Sequence, residues 1–296
     1  MKKETCFYSS GSKIAAMIGY PDDRKKNERY PAIVINHGYS GNKEEYGSMA
    51  QALNNCGYVT LQFDSRGCGG SQGEPGRMMC STEWVEDAFN AVTFISAQEY
   101  VNSKRIGFTG CSMGGAITLY MSANDPRVKC SVAMAPFSDG EGLLRGIWTE
   151  RKGREAWKAF VEELEEDSRD RVLNNRSRLV SVPYALCMLK EDEEEFLQSR
   201  RLDPSLVRDI PLESVGNSFL NFRPVEHCPR VNIPLMLIHG LSDSIVPPWH
   251  SEQIYKVLTA KKERVLIEGA PHSLPTSSFK DEVFKHALAW FDANLQ

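Results

Sequence analysis

Six short apolar runs, at 32–35, 59–63, 106–108, 128–134, 235–238 and 265–267, recur along the chain and constrain its fold more than any other feature. The stretches 44–55 and 82–96 lie between the early runs, 279–294 follows the last, and each repeats its apolar residues at helical spacing. Strand-like runs joined through helices pair in parallel by crossover connections, so the pattern predicts a mostly parallel sheet with helices on both faces. At 296 residues the chain can bury roughly three quarters of its unfolded surface, enough for one large α/β core. Ahead of the first run, 5–8 and 13–20 read as an antiparallel hairpin at the sheet edge, with Gly11-Ser12 near its turn.

The alternation stops at residues 139–230, a stretch far longer than an ordinary connection and therefore an insertion with its own structure. Within it, 148–167 reads as a charged amphipathic helix with Trp157, Phe160, Val161 and Leu164 on one side, and 184–198 reads as another. These helices could simply be a solvated face packed on the core. An insertion after a central strand of an open α/β sheet, however, overhangs the carboxyl ends of the strands, where ligands bind. The expected organisation is a core of 1–138 and 231–296 carrying a helical lid of 139–230.

Composition narrows the partners. Lys and Arg number 35 against 39 Asp and Glu, a net charge of -4 that lacks the basic footprint of a nucleic-acid binder. No apolar segment follows Met1-Lys2-Lys3, and no stretch reaches the length of a membrane span, so a soluble, cytoplasmic protein is expected. Eight cysteines, at 6, 56, 68, 80, 111, 130, 187 and 228, stand singly, without the spacing of a zinc site or a disulfide framework. They read as reduced thiols, and neither metal nor cofactor is expected. No feature of the pattern specifies an oligomeric state.

Gly110-Cys111-Ser112-Met113-Gly114 sits between the apolar run 105–109 and the helix-like 116–121. A serine in such a strand–turn–helix is pushed out above the sheet, and the flanking glycines let the neighbouring backbone pass. A serine hydroxyl is a weak nucleophile, so Ser112 needs a base and a residue to orient that base. His272, in Gly269-Ala270-Pro271-His272, follows the run at 265–267, and Asp243, in His239-Gly240-Leu241-Ser242-Asp243, follows the run at 235–238. Both stand where strands end. Asp139, after the run at 128–134, is the alternative acid, although it could equally cap the first helix of the insertion. His37 and His239 each precede a glycine at a strand end, where an imidazole commonly bonds loop backbone. His227, His250 and His286 fall in the insertion or in helices. Cys111 reads as packing. Two backbone N–H groups are expected to face a developing oxyanion: that of Met113 at a helix N-terminus, and that of Tyr39 in the glycine-containing loop 37–43.

These motifs, with Phe63-Asp64-Ser65-Arg66-Gly67-Cys68-Gly69-Gly70-Ser71 and Ser244-Ile245-Val246-Pro247, resemble the α/β-hydrolases, in particular the bacterial serine esterase and aminopeptidase-like branch that includes cinnamoyl and feruloyl esterases. The resemblance spans the core and leaves the insertion unmatched. It implies a cofactor-free serine hydrolase in which Asp64 and Arg66 brace the loop beside the oxyanion hole. The implied substrate is a small-molecule carboxylic ester, with aryl or cinnamoyl esters as one choice and amides, peptides or thioesters as others using the same residues. A non-catalytic binding protein on the same fold is the alternative of a different class, which the retained serine, acid and histidine disfavour.

Overall fold

The computed structural model describes residues 1–25, 27–39, 41–73, 81–190 and 209–295. Strands β1 (Lys2–Ser9), β2 (Ser12–Gly19), β3 (Tyr30–Asn36), β4 (Val59–Phe63), β5 (Val101–Cys111) and β6 (Val128–Met134) form most of the main sheet. A separate two-stranded ribbon pairs β7 (Leu179–Val180) with β8 (Ile210–Pro211), and β9 (Leu235–Gly240) and β10 (Lys262–Ile267) complete the main sheet. The order is β1-β2-β4-β3-β5-β6-β9-β10, with β1 and β2 antiparallel and every pair from β4 to β10 parallel. The hairpin turn is Ser10-Gly11, both at positive φ (44° and 82°), because Ser9 pairs with Ser12. It therefore lies one residue earlier than the sequence suggested, in the backbone conformation that matches the twist of a two-residue hairpin.

Alternate residues of β3 serve opposite faces of the sheet. Ala32 and Val34 join Trp84 and Val92 of α2 (Ser81–Ser96), whereas Ile33 and Ile35 join Met49 and Leu53 of α1 (Gly47–Asn55). Burial on both faces explains why this strand reads as a continuous apolar run. A 3₁₀ turn, Lys43–Tyr46, precedes α1, so the helix expected at 44–55 is two elements. Helix α3 (Met113–Asn124) runs directly from β5 and is buried on nearly every side.

Between the adjacent parallel strands β6 and β9 lie α4 (Gly140–Lys152), α5 (Arg154–Asn174), α6 (Val182–Ala185), a π-helical turn Ser214–Phe219, and two 3₁₀ turns ending at Arg230. The single helix expected at 148–167 is broken at Gly153, whose φ of 88° leaves the helical region. The helix expected from 184 stops at Leu186, with Cys187 at φ 47°, and 191–198 lie outside the described residues. Trp148 stacks on Phe160 at 4.3 Å between ring centroids and meets Tyr184 edge-on at 5.7 Å. Leu143, Leu144, Ile147 and Phe160 share one buried cluster with Phe108, Met113 and Phe137 of the sheet region. The insertion and the sheet therefore have a common apolar interior.

After it, α7 (Trp249–Val257) and α8 (Lys280–Asn294) follow β9 and β10. Among the described residues, no helix is long and apolar enough to cross a membrane.

Candidate active site

Ser112 stands between β5 and α3 at φ 59°, ψ −118°, a conformation L-residues rarely hold. The two glycines around it are sterically required. A Cβ at Gly110 would lie 2.6 Å from the Asn36 carbonyl oxygen, and one at Gly114 would lie 2.3 Å from the same atom. Close approach of β3 to the elbow thus holds Ser112 in its strained position, at the N-terminus of α3, where the first N–H groups have no intrahelical acceptor.

The loop after β3 packs directly on this elbow, since a Cβ at Gly38 would sit 3.4 Å from the Ser112 Cβ. The Gly38 carbonyl accepts from His37 Nδ1 at 2.7 Å and from the Gly41 N–H at 3.1 Å. In a trans peptide the next N–H points the opposite way, so these two bonds fix the direction of the Tyr39 N–H. The His37 tautomer is set as well: the Ser65 N–H donates to Nε2 at 2.9 Å, leaving the hydrogen on Nδ1. His37 thus bonds loop backbone, as its position suggested.

Asp64 braces the same loop. Its Oδ1 accepts from the Lys43 N–H at 2.6 Å, and its Oδ2 from Lys43 Nζ at 3.1 Å and the Gly70 N–H at 2.9 Å. Burial opposes the charge on Lys43, but bonds to Glu44 and Asp64 outweigh it and raise the ammonium above its ordinary value. Arg66 does something else. Its guanidinium binds Asp87 and Glu86 of α2 and the Ser9 hydroxyl of β1, tying the loop after β4 to α2 rather than to the loop after β3.

At the ends of β9 and β10, Asp243 and His272 are brought together. His272 Nδ1 lies 2.7 Å from Asp243 Oδ2, and a carboxylate only accepts, so Nδ1 carries the hydrogen and Nε2 is the basic nitrogen. The His272 side chain keeps 14 % of its surface exposed, whereas that of Asp243 is fully buried. Asp243 Oδ1 accepts from the N–H groups of Ile245 (3.0 Å) and Val246 (2.8 Å). Burial would raise this carboxyl, yet the charge of His272 and hydrogen bonds from His239 and His272 win and hold it well below the usual carboxylate range. The His272 loop reaches the elbow through its backbone: Cys111 Sγ is 3.7 Å from the His272 carbonyl oxygen. Cys111 itself is buried in the core, and burial pushes its thiol far above its ordinary value, consistent with packing.

Asp139, the alternative acid, caps α4, its Oδ1 accepting from the Gly142 N–H. Two contacts were not legible in the sequence. His239 Nε2 lies 2.8 Å from the Val246 carbonyl and 3.3 Å from Asp243 Oδ2, so it serves the acid as well as loop backbone. His250 Nδ1 lies 2.7 Å from the Ser138 hydroxyl and accepts from the Ser138 N–H at 3.1 Å, joining α7 to the root of the insertion. An imidazole beside a glycine signals a loop bond, but nothing in its spacing identifies the second acceptor.

Comparison with known proteins agrees with this architecture. The acyltransferase drtE of Aspergillus calidoustus is 25% identical over 283 residues, covering 89% of this chain and 87% of its own length. The crystal structure of the α/β hydrolase GrgF from Penicillium superposes over 100% of this chain and 99% of its own with a TM-score of 0.81 at 18% identity. Est1E of Butyrivibrio proteoclasticus, solved with ferulic acid bound, superposes over 96% and 99% with a TM-score of 0.66 at 17% identity. The fold is thus the α/β-hydrolase fold. Because the sequence profile of the serine aminopeptidase S33 family matches residues 27–277, from before β3 through the His272 loop, the chain belongs to that family.

Proposed function

We propose that the chain cleaves carboxylic esters of small molecules through an acyl-enzyme on Ser112. The observation that carries this reading is the His272 Nδ1 to Asp243 Oδ2 contact of 2.7 Å, which leaves a basic Nε2 on a loop that contacts Cys111, the residue before the strained serine. In this reading Nε2 takes the Ser112 proton as Oγ bonds to the ester carbonyl carbon. The oxyanion accepts from the N–H groups of Tyr39 and Met113, the former fixed through the Gly38 carbonyl. Collapse breaks the ester C–O bond, His272 returns its proton to the departing alkoxide, and water, activated by the same nitrogen, releases the acid.

Residues 139–230 act as a lid over a core of 1–138 and 231–296, a role supported by Arg151 of α4, whose Nη2 donates to the Ser244 carbonyl beside Asp243 at 3.1 Å. Aryl and cinnamoyl esters are the favoured substrates, on the likeness to Est1E. A second reading, acyl transfer to an alcohol or amine in place of water, is supported by the likeness to drtE. Singly placed cysteines support a cytoplasmic setting. A fluorophosphonate probe, with the labelled residue located by mass spectrometry, tests the mechanism: modification is expected at Ser112 and lost in Ser112→Ala. Labelling elsewhere, or none, would refute it. A panel of p-nitrophenyl, hydroxycinnamate, aminoacyl-amide and thioester substrates, each with and without an added alcohol acceptor, then assigns the substrate and separates hydrolysis from transfer.

A further inference from the structure

Asp243 Oδ2 faces two imidazoles. His272 Nδ1 approaches it at 2.7 Å from the loop after β10, and His239 Nε2 at 3.3 Å from β9 itself. The His239 side chain is wholly buried, so its protons must be placed by its neighbours. The Val246 carbonyl, 2.8 Å from Nε2, can only accept. Nε2 therefore carries the hydrogen, which bonds the Val246 carbonyl and has Asp243 Oδ2 as a second, longer acceptor at 3.3 Å, while Nδ1 is buried without a hydrogen-bond partner among the described residues. The His250 imidazole of α7 is buried close by, and that burial above all pushes it down to about 3.

We infer that His239 is a positioning residue that shares Asp243 Oδ2 with His272 and thereby sets both the aim and the basicity of the catalytic imidazole. This rests on the assignment of Ser112, His272 and Asp243 under the proposed function. Oδ1 is held by two backbone N–H groups on the Asp243 loop, but Oδ2, the oxygen that orients His272, has no backbone donor among the described residues; its second anchor is the His239 N–H, fixed on β9. A second donor on the same oxygen also draws off part of its negative charge, which weakens its support of a protonated His272. Without His239, the carboxylate would swing more freely and would favour the imidazolium more strongly. Turnover falls, and the acid limb of the pH profile moves to higher pH.

The test compares His239→Leu, which removes the donor, with His239→Gln, whose side-chain amide can supply an N–H at the Nε2 position. The first readout is the rate of Ser112 modification by a fluorophosphonate, which needs no knowledge of the substrate. Expected in His239→Leu are a rate loss of about tenfold and a rise of the acid limb by about half a pH unit or more, with the His272 Nδ1 proton resonance displaced downfield. His239→Gln should recover most of the rate and of the wild-type profile. A residue that merely fills space would leave the profile and the resonance of the Leu variant unmoved, and that result, or a Gln variant as impaired as Leu, overturns the inference. Should His239→Leu fail to fold, ¹⁵N-histidine spectra of the wild-type protein decide: a hydrogen on His239 Nε2 is required, and one on Nδ1 refutes the proposal. An unreactive Ser112 in wild type would instead sink the hydrolase reading on which this one stands.

Discussion

Asp243 and Asp139 follow the ends of neighbouring parallel strands, and they differ in what their oxygens already hold. Asp243 receives two backbone N–H groups and faces two imidazoles, whereas Asp139 caps α4. Replacing Asp243 by Asn is expected to lower kcat by about a thousandfold or more, because His272 loses both its fixed tautomer and its counter-charge. Asp139→Asn keeps a competent cap and should leave kcat within about threefold. Steady-state kinetics on one ester compare the two, and the reverse order would move the orienting role to Asp139. His250 carries a pH signature of its own. Its folded value, about 3, lies below the ordinary histidine value near 6.5, so the unfolded chain binds more protons between them. Its contribution is complete above pH 6.5 and is lost as the pH falls toward 3. In His250→Asn the slope of Tm against pH across that window should flatten, and an unchanged slope would show that another group controls it. The places of Ser112, Asp243 and His272 at the ends of β5, β9 and β10 were legible because each closely follows an apolar run. The double duty of His239 was not, since the direction of an imidazole nitrogen depends on a fold that spacing does not encode.

Helices α4 and α5 show where sequence periodicity stops being informative. The stretch 148–167 reads as one amphipathic helix because apolar residues continue past Gly153 at helical intervals, yet that glycine adopts φ 88° and turns the chain. A glycine within a helical pattern announces either a tolerated residue or a break, and only tertiary packing decides. Here the packing is aromatic: the break folds Phe160 of α5 back onto Trp148 of α4. Strands such as β3 and β9 were legible for the opposite reason, since burial on both faces leaves an uninterrupted apolar run. The same α4 reaches the loop after β9 through Arg151, which donates to the Cys187 carbonyl at 2.8 Å and the Ser244 carbonyl at 3.1 Å. If this contact steadies the acid loop, Arg151→Ala should lower kcat by about three- to tenfold, with little change in KM for a small acetate ester. A rise in KM alone would place Arg151 in substrate binding instead.

Across the whole molecule, the chain leaves the sheet at β6 and returns to the adjacent strand β9, so the insertion lengthens a single crossover without altering strand order. If Ser112, Asp243 and His272 on the strand ends carry the chemistry and the insertion covers them, as proposed, substrate choice should respond to the insertion more than the chemical step does. The aromatic residues of the insertion are not equivalent in this respect. Trp148 packs against Phe160 and Tyr184 inside it, but Phe219 meets Phe137, just beyond the end of β6, at 5.2 Å between ring centroids. A Cβ at Gly140 would lie 1.9 Å from the Phe219 carbonyl oxygen, so this segment is held tightly against the root of α4. Trp148→Ala should therefore act through stability, costing about 3–5 kcal/mol as a large buried aromatic and reducing activity on all esters in proportion to the folded fraction. Phe219→Leu removes less volume, at the seam between the insertion and the end of β6, and should change the ratio of kcat/KM for a hydroxycinnamate ester over an acetate ester by about tenfold while Tm falls only modestly. Measuring both esters and Tm on each variant separates the two effects, and a Phe219→Leu enzyme that slows equally on every ester would show that the insertion is a structural cover with no part in selecting the substrate.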